Sequence, residues 1–253
     1  MNAAPDALAT VELCKNFGAL RVLREVNFTL PHGCRHALIG PNGSGKTTLI
    51  NVIGGALAPT SGKIMLEGED ITGLTADKRV LRGLTRTFQI NTLFPRLTPI
   101  EAVTMVVCQR RGIGASLWRS LKRSHDAIDE AYTVLEQLHL DEDCDRPTAQ
   151  LAYGRQRLLE IALALAARPK VLLLDEPAAG VPQQQSGEIL HVISSLPDDI
   201  AVLFIEHDID LVFRFAERIT VLVAGRILCE GTPAEIAADP EVRRIYLGDE
   251  VHV

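Results

Sequence analysis

The sequence predicts an α/β fold that carries an antiparallel β portion and a helical insert, and three observations predict it. First, Gly40-Pro41-Asn42-Gly43-Ser44-Gly45-Lys46-Thr47, a G-x-x-x-x-G-K-T string, follows a short apolar run, His36 to Ile39. It precedes a stretch in which Leu49, Val52, Ile53 and Ala56 fall on one helical face. Second, Val171 to Leu174 and Ile200 to Ile205 are continuous apolar runs, as strands buried on both faces require. Third, Val26, Phe28 and Leu30 alternate with Asn27 and Thr29, and Ile219–Val223 and Arg226–Cys229 flank Ala224-Gly225 as a hairpin.

In chain order, residues 8–34 read as β ribbon with a turn at Phe17-Gly18. The helix after the glycine-rich loop runs into the turn cluster Ala58 to Gly62, and Lys63 to Leu66 returns as a short strand. Residues 90–165 change character: helical periodicity dominates, with Ile128, Ala131, Leu135 and Leu138 spaced by 3 and 4. Arg110, Arg111, Arg119, Lys122 and Arg123 form a basic stretch that reads as a solvated face. From Lys170 the α/β pattern resumes, with Ile189, Val192, Ile193 and Leu196 on the next helical face. Thr232-Pro233-Ala234-Glu235 carries a cap, a first-turn proline and a capping-box acid, and Asp239-Pro240-Glu241 starts another short helix. The expected organisation is one domain over residues 1–253: residues 1–89 and 166–253 form the core with its β portion, and residues 90–165 form a helical subdomain.

The 253 residues can bury a substantial core. The composition, 47% hydrophobic and 23% charged, is that of a soluble globular protein. A net charge of −6 does not favour a nucleic-acid surface. Cys14, Cys34, Cys108, Cys144 and Cys229 form no C-x-x-C pair and fit free thiols in a cytosolic protein. No apolar run approaches 18 residues and there is no signal-peptide pattern, so a peripheral position on a membrane partner is compatible and a lone crossing is not.

The glycine-rich string has the chemistry of a phosphate-binding loop. Its glycines let successive N–H groups turn inward, and the following helix points its positive end at the same place. Lys46 can reach the β- and γ-phosphates of a nucleotide, and the Thr47 hydroxyl can ligate Mg²⁺, with Gly40 to Thr48 as the binding stretch. Asp175 and Glu176 end the first buried strand, where an open α/β sheet faces its ligand. Asp175 is placed to hold Mg²⁺, and Glu176 to orient or deprotonate an attacking water. His207 follows the next buried strand and is expected at the same crevice, against the γ-phosphate. Gln89, at the border of core and insert, offers an amide to Mg²⁺, and Phe17 offers an aromatic face to adenine. Leu151-Ala152-Tyr153-Gly154-Arg155-Gln156 opens a helix whose N-terminus is a second anion site, with Tyr153, Gly154, Arg155 and Gln156 at it.

This set, in this order, resembles an ATP-binding-cassette ATPase over nearly the whole chain. It is most similar to the ATPase subunits of branched-chain (hydrophobic) amino-acid importers, with Leu151-Ala152-Tyr153-Gly154-Arg155-Gln156-Arg157 at the signature and Asp175-Glu176-Pro177-Ala178-Ala179-Gly180 at the end of the apolar strand Val171 to Leu174. The C-terminal stretch from Glu230-Gly231-Thr232-Pro233 to Tyr246-Leu247-Gly248 is similar to that family as well. The resemblance implies ATP and Mg²⁺ as cofactors. It also implies a head-to-tail dimer with a second cassette, identical or paralogous, and two transmembrane permeases. A solute-binding protein is the indirect partner, and the location is the inner face of the cell membrane.

Two departures stand out. Ala152 replaces the serine of the common L-S-G-G-Q signature and lacks its hydroxyl, while Arg155 brings a charge. Val181-Pro182 stands where the family usually has Leu then Asn or Asp, and Pro182 has no N–H. Two other readings are compatible with part of the pattern. A soluble cassette ATPase of nucleic-acid metabolism would need a coiled coil, tandem cassettes or a basic face, and none is visible. An ATP-gated scaffold with little turnover is favoured by Ala152 and Pro182 and opposed by intact Lys46, Asp175, Glu176 and His207.

Overall fold

The computed structural model describes residues 5–87, 93–113 and 125–247, and for 183–185 and 247 the backbone alone. Its centre is a six-stranded sheet. Strands β3 (Arg35–Ile39), β6 (Leu84–Arg86), β7 (Val171–Asp175), β8 (Ala201–Ile205), β9 (Arg218–Val223) and β10 (Arg226–Gly231) lie in the order β10-β9-β3-β8-β7-β6. All neighbours are parallel except the β9–β10 hairpin. A second sheet, wholly antiparallel, orders β2 (Leu20–Leu30), β1 (Leu8–Phe17), β4 (Ser61–Leu66) and β5 (Glu69–Asp70) as β2-β1-β4-β5.

The continuous apolar runs are central strands buried along their whole length. Period-two alternation divides their side chains between two cores. Leu172, Leu174, Val202 and Phe204 pack with the helices of one face. Val171, Leu173, Leu203 and Ile205 pack with α1 (Lys46–Ile53) and the antiparallel sheet. The same alternation turns Asp175 toward the α1 face, which is where its partners lie.

The expected helix after the loop is shorter than its periodicity suggests. It stops at Ile53, because Gly54 caps it and Gly55 takes φ +82°. Ala56, expected on the helical face, is instead exposed in the terminating turn, with its N–H on the Asn51 carbonyl. The free carbonyls of that helix end meet a buried cation. Arg79, from α2 (Ala76–Leu81), donates to the carbonyls of Val52 and Ile53 and to those of Thr72 and Leu74. A guanidinium at a helix C-terminus satisfies both the orphan acceptors and the dipole.

Helices α3 (Pro99–Arg110), α4 (His125–Gln137) and α5 (Tyr153–Ala166), with two short 3₁₀ turns, make the helical part. Thr98 and Glu101 cap α3 reciprocally. Buried Ala131, Leu135 and Leu138 bear out the face read from sequence, although Ala127 is buried more fully than Ile128. Of the basic stretch, Arg110 and Arg111 are paired: both donate to Glu130 of α4, each at 2.5 Å, and Arg168 joins them at 2.7 Å. Arg119, Lys122 and Arg123 lie outside the described residues. After β7 come α6 (Gln183–Ser194), α7 (Ile209–Phe215), α8 (Pro233–Ala238) and α9 (Pro240–Leu247). The Thr232–Glu235 capping box forms as the spacing predicts.

One buried titratable group sits in the strand that leads to the loop. His36 lies edge-on to Phe28, its Nε2 2.8 Å from Thr220 Oγ1. Burial, with Arg218 adding, lowers its pKa from 6.5 to about 3. Between those values the unfolded chain binds a proton that the folded chain refuses, so stability falls as pH falls through that window. Relative to a His36→Gln variant, the wild type should lose about 1.4 kcal/mol more stability between pH 7.5 and 5.5. Urea titrations at the two pH values measure this, and equal losses would show that His36 titrates normally.

Candidate functional site

The ends of β3, β7 and β8 meet where the loop Gly40–Thr47 turns into α1. The loop is held by backbone. Gly225, in the β9–β10 turn, donates its N–H to Ser44 O at 3.0 Å and accepts the Arg24 N–H at 2.8 Å. Glycine is required at the closest approaches. A Cβ on Gly40 would stand 2.1 Å from the Leu222 carbonyl oxygen, and one on Gly45 3.1 Å from the Val22 oxygen. Gly45 is also the N-cap of α1, in a left-handed conformation with no side-chain cap, so the first N–H groups of the helix stay available. Pro41, Asn42, Gly43 and Thr47 are exposed, and Thr48 is half-buried. Ser44 is buried, its hydroxyl without a partner among the described residues.

Lys46 is folded back onto the loop, donating to Gly40 O at 2.7 Å and Pro41 O at 3.2 Å. Burial lowers its pKa, and Glu176 and Asp175 oppose that shift. Asp175 is buried at the end of β7. Burial raises its pKa, while the Arg86 guanidinium, 2.9 Å from Oδ2, draws it down. Its other oxygen, Oδ1, is buried and has no hydrogen-bond partner among the described residues. A buried carboxylate oxygen without a donor suits a hard, oxygen-seeking divalent cation, and the exposed Thr47 hydroxyl at the start of α1 is an oxygen ligand of the same kind.

Glu176 has φ +53°, a conformation that costs a non-glycine residue on the order of 1–3 kcal/mol. Its N–H donates to Ile205 O at 3.0 Å, tying the turn after β7 to the end of β8. The turn aims the carboxylate at His207, whose Nε2–H donates to Glu176 Oε1 at 2.7 Å. The two residues, expected at one crevice from separate strand ends, are therefore in contact. Glu206, which sequence reading passed over, completes the group. It is buried, burial raises its pKa, and its Oε1 accepts the Ala178 N–H at 2.8 Å. Its signal was available: it follows β8 just as Glu176 follows β7.

The second anion site takes a specific form. Helix α5 begins at Tyr153 with Ala152 as N-cap and no capping side chain. The neighbouring side chains are engaged within the chain. Tyr153 donates its hydroxyl to Ala179 O at 3.2 Å. Gln156 Nε2 donates to Leu151 O at 2.9 Å and to Thr148 O at 3.3 Å. Arg155 Nε donates to Asp143 at 2.7 Å, so its charge is already countered. Gly154 is buried. What this segment offers an anion is backbone N–H groups. Pro182 serves as the N-cap of α6.

Phe17 is 47% exposed at the end of β1, with Lys15 Nζ 5.0 Å from its ring centroid. Gln89 lies outside the described residues. An apolar groove beside the site is lined by Val80, Leu84, Leu93, Val106, Leu163 and Ala164, and exposed Leu81 and Phe94 are the large apolar side chains nearest it in sequence. A larger cleft, about 680 Å³, lies between Arg111, Glu130, Arg168 and Asp199. It sits by Lys170 and Ile200, which precede β7 and β8, at the end of the strands opposite Asp175. The site is thus marked by its chemistry and not by cavity size.

Residues 23–179 match the family described as ABC transporter, and residues 226–252 match the branched-chain amino acid ATP-binding cassette transporter family. The high-affinity branched-chain amino acid transport ATP-binding protein BraF of Pseudomonas aeruginosa is 37% identical over 246 residues, covering 94% of this chain and 96% of its own. LivG of Escherichia coli, of the same description, is 38% identical over 246 residues with the same coverage. Among solved structures, the ADP conformation of the ATP-binding cassette MJ1267 superposes with a TM-score of 0.82 at 32% identity, over 96% of this chain and 99% of that one. A dimeric post-hydrolysis cassette bound to ADP and Pi, MJ0796, gives 0.74 at 26% identity, over 89% and 98%.

The close approach at Gly40 makes a direct test of the loop's packing. Gly40→Ala should lower stability by about 1–3 kcal/mol, the range for overpacking, and abolish binding of a fluorescent ATP analogue. Gly43→Ala meets no atom within 4 Å and bears only the backbone cost of its φ of +77°, about 1–2 kcal/mol, so it should keep measurable binding. Thermal unfolding and nucleotide titration compare the two; equal binding would remove the Leu222 contact from the argument.

Proposed function

We infer how this site works from one premise: the chain belongs to the ATP-binding cassette family, among the branched-chain amino acid transport ATP-binding proteins. It is the ATP-hydrolysing subunit of an importer that takes up a branched-chain or related hydrophobic amino acid. The observation that carries the mechanism is the meeting of Lys46, Asp175, Glu176 and His207 at adjoining strand ends.

The loop N–H groups and the start of α1 hold the phosphates. Lys46 exchanges the carbonyls of Gly40 and Pro41 for the β- and γ-phosphate oxygens, trading two neutral acceptors for charged ones. Asp175 Oδ1 and the Thr47 hydroxyl, with the Gln89 amide, would hold Mg²⁺, which neutralises phosphate charge when bound. Glu176 orients the water and takes its proton as oxygen attacks the γ-phosphorus and the β–γ bridge breaks toward ADP. His207 keeps the Glu176 carboxylate in place through the 2.7 Å contact and faces the γ-phosphate. Phe17 stacks on adenine on the ring face that Lys15 leaves open.

Related cassettes form dimers. In the arrangement we propose, a second cassette, identical or paralogous, lies head to tail. The N-terminus of its α5, Tyr153 to Gln156, closes on the γ-phosphate with backbone N–H groups, which is how a chain with Ala152 dispenses with a signature hydroxyl. Two permeases form the path, and a solute-binding protein delivers the amino acid. Among the described residues no helix is long and apolar enough to cross a membrane. The chain works on the cytoplasmic face, docked through the apolar groove and Phe94.

Glu176→Gln should leave ATP affinity nearly intact and cut hydrolysis by about 10²–10⁴-fold, the range for a lost general base. Nucleotide titration and phosphate release measure the two sides, and full turnover in the variant would remove Glu176 from the mechanism. Phe94→Asp should lower co-purification with the permeases while basal ATPase stays within about twofold of wild type, since a substitution at an exposed side chain changes the fold little. Undiminished recovery would place the permease contact elsewhere.

A further inference from the structure

One half-buried side chain at the site has no part in that mechanism. Arg86 closes β6, next to β7 in the sheet. One guanidinium nitrogen donates to Asp175 Oδ2 at 2.9 Å, and the other terminal nitrogen donates to Asn51 Oδ1 at 2.5 Å. The Arg86 side chain is 15% exposed and that of Asp175 2%. Its stem runs over Gly54, where a Cβ would stand 3.4 Å from Arg86 Cδ, and forms part of the wall of the apolar groove.

The geometry is directional. Asn51 belongs to α1, one turn beyond Thr47, so both lie on the same stripe of that helix. Arg86 therefore ties the carboxylate at the end of β7 to the helix that carries the threonine hydroxyl. A planar guanidinium anchored at two points fixes the orientation of what it binds, as a single flexible ammonium does not. It occupies one carboxylate oxygen and leaves the other, buried Oδ1, without a partner among the described residues.

We propose that Arg86 is a positioning residue for the divalent cation: held by Asn51, it sets Asp175 so that Oδ1 stays free and fixed relative to Thr47. This rests on the reading of Asp175 as the cation's acid. A plain strut, balancing a buried charge, would stabilise the fold without changing how tightly a cation binds.

The test uses Mn²⁺ as probe, titrated by electron paramagnetic resonance against the ADP-bound full chain, so that no turnover is needed. Arg86→Gln should weaken Mn²⁺ binding about tenfold, as loss of a partner that orients a metal ligand does, while metal-free ADP affinity stays within about twofold. Asn51→Ala keeps the charge and loosens only its second anchor; it should give a smaller loss in the same direction. Arg86→Lys should recover part of the affinity. Mn²⁺ affinities within twofold of wild type in both Arg86→Gln and Asn51→Ala, with only the melting temperature lowered, would overturn the proposal in favour of the strut. If Arg86→Gln does not fold, Asn51→Ala decides by the same criterion. Asp175→Asn separates the two levels. If it loses Mn²⁺ and the Arg86 and Asn51 variants do not, this inference alone fails; if it too binds Mn²⁺ as the wild type does, the reading of Asp175 fails and the inference with it.

Discussion

The contact on which the nucleotide-type loop depends is backbone against backbone. Three glycines, Gly40, Gly45 and Gly225, sit where the loop, the β2 strand and the β9–β10 turn converge, and a Cβ on Gly225 would stand 2.2 Å from Val22 O. The Gly225 hydrogen bonds to Ser44 and Arg24 close that junction. Because no side chain intervenes, the antiparallel sheet and the parallel sheet meet directly at the mouth of the loop. Residues far apart in sequence then fix the curvature that turns N–H groups inward.

Around that frame the charges are unusually concentrated for so buried a place. Asp175 and Glu206 are buried, Glu176 adjoins them, and Lys46, Arg86 and His207 stand opposite. Burying like charges is costly unless each is paired or hydrogen-bonded, and here each has an assigned partner. Asp175 takes Arg86, Glu176 takes His207, and Glu206 takes a backbone N–H of the turn after Glu176. Lys46 rests on two carbonyls, neutral acceptors that yield readily to a phosphate. The strained φ of Glu176 belongs to the same economy of space, since it lets two consecutive acids at one strand end point to different partners.

The helical part contributes differently. In the segment opening α5, the three side chains of Tyr153, Arg155 and Gln156 are all bonded within the chain, which rigidifies the helix start and leaves N–H groups as its offering. The Tyr153 bond to Ala179 O also ties that start to the turn that follows the acids. A change of position in one is therefore felt by the other. This gives a physical route between helical part and core that does not need the residue replaced by Pro182.

Much of this was legible in the sequence, because the relevant signals are local. Strand runs, helical faces, the glycine-rich string and the Thr232–Glu235 box depend on spacings of two to seven residues, and the structure has them. The end of α1 was misjudged because hydrophobic spacing ran on to Ala56 while Gly54 and Gly55 ended the helix. The acids and His207 stand where they were expected, because a strand's C-terminal end in a parallel sheet is a fixed place. Which of them touch was not legible. The pairing of Arg86 with Asp175 and Asn51, the 2.7 Å contact of His207 with Glu176, and the 2.1 Å margin between a Gly40 Cβ and Leu222 all join distant segments. Such contacts follow from strand order and register, which the packing of two cores decides. The sequence by itself determined the strand runs, the glycine-rich loop and the strand ends where the acids and His207 stand; only the tertiary structure decided their partners, because a side chain's spacing along the chain says nothing of what crosses its path in space.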